Sequence, residues 1–243
     1  MKSLAAFLLA LIPLATHRAE DKPANPNVPL PVAHQTRTME GWKVRVDERL
    51  LSGPEAAIGE RALKLLDARL MEIALVLSGE PLVKLREIPI QLDLTHGSLR
   101  PAQYHPSAGW LKGNGYSENL AKCVHIPDAA HFLSPYENHR MPFVMLHELA
   151  HGYHDRVLGF EEARIARAWE KWRQNEAHKL VLMDNGVKRE HYGRTNAKEF
   201  FAEMTESYLG QNDFFPFNAG ELGETEPEVF KLMAEIWGPL PAK

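Results

Sequence analysis

The chain has 243 residues, enough for one enzyme-sized domain with a real core, and its 44% hydrophobic and 25% charged residues are ordinary for a globular protein. A net charge of −4, with no long run of Lys or Arg, argues against a nucleic-acid-binding surface. The single cysteine, Cys123, excludes an internal disulfide and any zinc cluster built on thiolates, and its apolar neighbours suit a small buried side chain.

In chain order, residues 1–19 read as an export signal: Lys2 supplies the positive start and Leu4 to Leu14 an apolar run too short for a permanent span. Ala15 and Ala19 offer cut sites, and an uncleaved anchor is the alternative fate. No other stretch is long and apolar enough to cross a bilayer, so the expectation is a secreted or periplasmic protein without a stable membrane span once the signal is cut. Residues 20–38, with Pro23, Pro26, Pro29 and Pro31, read as an extended linker, and residues 39–243 as one folded domain. Trp42 to Asp47 alternates apolar and polar residues, as a strand does. Pro54 opens a helix running to about Leu77 with a broad apolar face, and Gly79 and Pro81 are expected to end it. Ile88 to Leu94 is a strand with Ile88, Ile90, Leu92 and Leu94 on one face. The segment from Ala102 to Leu111 contains Pro106 and Gly109, so it belongs to an edge strand or a loop. Cys123 to Ile126 fits a short strand. Helices follow over Glu161 to Lys179, Asn196 to Leu209 and Glu228 to Trp237.

Between them lies His147-Glu148-Leu149-Ala150-His151. Histidines four apart share one helix face and can hold one Zn²⁺ at ~2.0–2.1 Å, with Glu148 placed to act as general base on a water. Val144, Leu146, Leu149, Ala150 and Tyr153 make the surrounding helix a buried one. Asn138 is the expected cap, Pro142 the first turn and Gly159 the stop, while Gly152 permits close approach by a neighbour. A third ligand is required. A histidine six residues beyond the second is excluded by Val157, and His154 is expected to serve as wall or supporting group. Glu199 and Glu203, four apart and flanking Phe200 and Phe201, supply the better set: Glu199 on the metal and Glu203 accepting an imidazole N–H.

His147-Glu148-Leu149-Ala150-His151, together with Tyr192-Gly193-Arg194-Thr195-Asn196-Ala197-Lys198-Glu199-Phe200-Phe201-Ala202-Glu203, resembles the catalytic domain of anthrax lethal factor and its relatives, including the secreted Pro-Pro endopeptidases. The likeness covers roughly the last hundred residues. It implies a zincin-like α+β fold, a small twisted sheet with an active-site helix and a helical C-terminal part. It also implies Glu199 as third zinc ligand, Tyr192 as the donor to the transition state and Glu203 as a supporting carboxylate. His191 remains the alternative donor. The implied activity is zinc-dependent hydrolysis of a peptide or protein substrate. Hydrolysis of other amides, such as cell-wall peptides, and a non-catalytic zinc-binding role are the competing readings.

Overall fold

The computed structural model describes residues 28–241, so the export signal and the first part of the linker, residues 20–27, lie outside the described residues. From His34 the expected linker is strand: β1 (His34–Met39) turns through Glu40-Gly41, both at positive φ, and pairs antiparallel with β2 (Trp42–Asp47). Val44 and Val46 on β2 are fully buried, and that apolar face pulls the polar β1 into the sheet.

Helix α1 (Ala56–Val76) buries Ala62, Leu66, Leu70 and Ile73 at helical spacing. Gly79 and Pro81 do not merely end it. They open a second helix, α2 (Gly79–Arg86), because Gly79 adopts φ +65° and Pro81 suits a first helical turn. Next come β3 (Ile90–Leu92), β4 (Gln103–Tyr104), α3 (Ala108–Gly113), β5 (Val124–Ile126), α4 (Ala129–Phe132) and α5 (Pro135–Arg140). Asn138 lies inside α5, donating to the Phe132 and Ser134 carbonyls, and is not the cap of the following helix. That helix, α6 (Val144–Tyr153), begins beyond Pro142. It runs into a wider π turn, His154–Leu158, before Gly159 at φ +83°.

Helix α7 (Ala163–Trp172) is shorter than expected, because Asn175 caps a separate 3-10 turn over Glu176–Lys179. A hairpin of β6 (Val181–Leu182) and β7 (Lys188–Arg189) precedes α8 (Ala197–Leu209), α9 (Ala219–Thr225) and α10 (Pro227–Trp237).

The architecture is mixed α+β. The main sheet has the order β1-β2-β3-β5-β4, with β2, β3 and β5 parallel and β1 and β4 antiparallel at the edges. One core joins the apolar face of this sheet to α1, α6, α8 and α10. Gly152 allows α6 to lie directly on it. A Cβ there would stand 2.8 Å from Ile88 Cδ1 and 3.2 Å from the Tyr104 ring. No helix among the described residues is long and apolar enough to cross a membrane.

Candidate metal centre

Helix α6 presents His147 and His151 one turn apart, and α8 crosses it to bring in Glu199, 52 positions from His147 in sequence. Asn196 sets the start of α8, its Oδ1 accepting from the Lys198 and Glu199 amides, so Glu199 sits in a capped first turn. Phe200 and Phe201 are fully buried and fix the helix's rotation.

Nε2 of His147 and Nε2 of His151 lie 3.1 Å apart, and Glu199 Oε2 lies 3.3 and 3.2 Å from them. Donors around a tetrahedral ion with ~2.0–2.1 Å bonds stand about 3.3 Å apart. The triangle therefore has the size of one face of such a tetrahedron, and its two-nitrogen, one-carboxylate chemistry suits a metal ion. His147 Nδ1 points the other way, 2.6 Å from Glu206 Oε1. Committing that N–H to Glu206 leaves Nε2 as the nitrogen that faces the triangle.

Here the structure corrects the expected support. Glu203 Oε1 is 3.8 Å from His147 Nδ1, too far for a hydrogen bond, and Glu206 takes the proton instead. Glu199, Glu203 and Glu206 follow a spacing of 0, 4 and 7 along α8, so all three were readable as one helix face. Burial raises the pKa of Glu203, helped by Asp213, and raises that of Glu206; it also lifts Asp213 to about 7, helped by Glu206. Burial pushes His147 down, but its hydrogen bonds to Glu199 and Glu206 outweigh this and hold it well above the usual histidine range. Burial raises Glu199, and the two imidazoles more than reverse that, keeping it ionised. The pocket thus crowds carboxyl groups around two imidazoles, and a cation there would offset the cost of ionising them.

Glu148 is half-buried beside the triangle, and burial raises its pKa. Its Oε2 accepts the backbone N–H of Tyr104 at 2.7 Å. No motif marks this contact, because it needs the edge strand β4 to lie against α6. Just past β4, His105 donates its amide to the Cys123 carbonyl and accepts the Lys122 amide, so Tyr104, one residue back, directs its own N–H and C=O to the open edge.

Tyr192 occupies a 3-10 turn before α8, its ring half-buried against Val181, Met183 and Phe214. Burial raises its hydroxyl pKa, and Glu199, His147 and Glu148 are among the charges acting on it. His191 does not face the triangle. Its Nδ1 accepts the Gly193 amide at 3.1 Å, and its buried ring lies against Trp172 and Phe214. His154 is fully buried between Phe160 and Phe201, outside the triangle, with no hydrogen-bond partner for either nitrogen among the described residues. Cys123 is buried as expected, and its burial pushes the thiol up to about 11.

No protein-family model, no curated protein and no solved structure matches this chain.

Proposed function

We propose that the chain is an exported, zinc-dependent peptidase of zincin type, with His147, His151 and Glu199 holding the metal. The observation that carries this is the 3.1–3.3 Å triangle of their donor atoms. The second motif, from Tyr192 to Glu203, and the resemblance it carries support the same reading, and the apolar run at Leu4 to Leu14 supports export.

A zinc ion bound there would supply Lewis acidity and lower the pKa of water. The protein's own groups do the rest. With Oε2 engaged by Tyr104, Glu148 offers Oε1 to take a proton from the attacking water and pass it to the departing amine nitrogen. Tyr192, its hydroxyl kept protonated by burial, donates to the oxygen that gains charge. The Tyr104 carbonyl at the open edge of β4 gives an extended peptide a place to pair.

The test combines metal analysis with hydrolysis of a broad peptide library, with and without chelator. One zinc per chain and chelator-sensitive cleavage are expected. Cleavage untouched by chelation, or a purified protein that takes up no zinc, would end this reading.

A further inference from the structure

Four histidines outside the triangle gather on the other face of the sheet. Strand alternation arranges this: Ile90, Leu92, Val124, Ile126 and Tyr104 turn toward α6, so Gln91, His125 and His105 turn away. The centre of the group is the fully buried carboxylate of Asp93. Its Oδ1 accepts from His34 Nε2 at 2.7 Å. Its Oδ2 accepts from His96 Nδ1 at 2.6 Å, His125 Nε2 at 2.8 Å and Gln91 Nε2 at 2.9 Å. Four donors fill the acceptor sites of one carboxylate. These contacts are shorter than those of the metal triangle, and they radiate from a carboxylate instead of surrounding a common point. At these lengths the contacts are charge-assisted hydrogen bonds, and protons hold the cluster together.

Because His125 gives its Nε2–H to Asp93, its Nδ1 is an acceptor, and it receives the His105 Nε2–H at 3.1 Å. The chain of tautomers runs one way, from His105 through His125 to Asp93. His105 also stacks along Trp110, which stacks on Tyr116, which returns to His96. A strand as short as β4 has little hold of its own. Its neighbour His105 ties it to a buried charge, and Tyr104, one residue back, presents its N–H to Glu148.

We propose that the Asp93–His125–His105 chain positions the β4 edge and, through the Tyr104 amide, the Glu148 carboxylate, a role that rests on the peptidase reading above. His105 is then a positioning residue that touches neither substrate nor metal. Burial holds His125 neutral, at about 4, and His105 well below its usual value, so the one-way chain persists at neutral pH.

The experiment compares His105→Leu and His105→Gln in the full chain, since a glutamine amide can replace the Nε2–H donor. Three quantities are read: hydrogen exchange at the Tyr104 amide, zinc content, and kcat and KM separately on a cleaved library peptide. With leucine, Tyr104 should exchange about ten-fold faster and kcat should fall about ten-fold, more than KM changes, because small displacements of a reacting group are costly. Zinc content should hold, and glutamine should restore both exchange and kcat. Unchanged exchange or unchanged kcat with leucine overturns the proposal, as does a loss shared with zinc content or one that glutamine does not repair. If leucine gives no folded protein, His105→Asn, too short to reach His125, replaces it with the same expected results. A wild-type protein that cleaves no peptide overturns the peptidase reading, and Tyr104 exchange still decides the positioning role.

Discussion

His147 uses its two nitrogens for two purposes, and each can be removed separately. Nε2 faces the triangle, while Nδ1–H is committed to Glu206. Glu206→Ala should weaken zinc affinity by ~10–100-fold, the usual cost of losing such a support, and Glu203→Ala should cost less. Competition against a chelator of known affinity measures both, and the reverse order would return the role to Glu203. Glu148→Gln should keep zinc while lowering kcat by ~10²–10⁴-fold, as loss of a general base does. Near-normal turnover in that variant removes Glu148 from the chemistry. Tyr192→Phe should cut kcat by ~10²–10³-fold with little change in KM. With His191 capping Gly193 and sealed between rings, an unaltered kcat would leave no tyrosine or histidine of that turn as donor.

At the scale of elements, the contact of α6 with the sheet depends on one missing side chain. Gly152→Ala would set a methyl 2.8 Å from Ile88 Cδ1 and should destabilise the fold by ~1–3 kcal/mol, as overpacking does. Urea unfolding checks this, and an unchanged midpoint would mean that Ile88 moves aside freely. The helices were the most legible part of the sequence. Periodicity places α1, α8 and α10 nearly to their ends, and the pair of motifs selects the three residues that the structure brings together. Glu206 was visible in principle, seven positions past Glu199 on the same face. The Tyr104–Glu148 bond was not, because a backbone amide carries no residue-type signal. Nor was the Asp93 cluster, whose histidines at 34, 96, 105 and 125 share no spacing and meet only once the strands are paired. The strand β1 was hidden by prolines just upstream, and α2 by a glycine and a proline that open a helix as readily as they close one.

At the scale of the molecule, the sheet divides the side of the candidate metal triangle from the side of the Asp93 hydrogen-bond cluster, and the second should govern behaviour in acid. Burial pushes His125 down to about 4 from the ordinary 6.5, so between those values the unfolded chain takes up a proton that the fold refuses. Its contribution to stability is therefore full above pH 6.5 and is lost as pH falls toward 4. Unfolding midpoints for wild type should drop more steeply across that window than those of His125→Gln, which has nothing to titrate there. Parallel curves would show that His125 already carries its proton in the fold.

The way Glu199 is delivered has one last consequence. From Phe200 to Leu209 the helix α8 is buried along its whole length, so its grip on the interior does not need the ion. Many small zinc domains come apart when stripped. Here the stripped chain should stay folded, take back zinc or accept cobalt in its stead, and resume work without a refolding step.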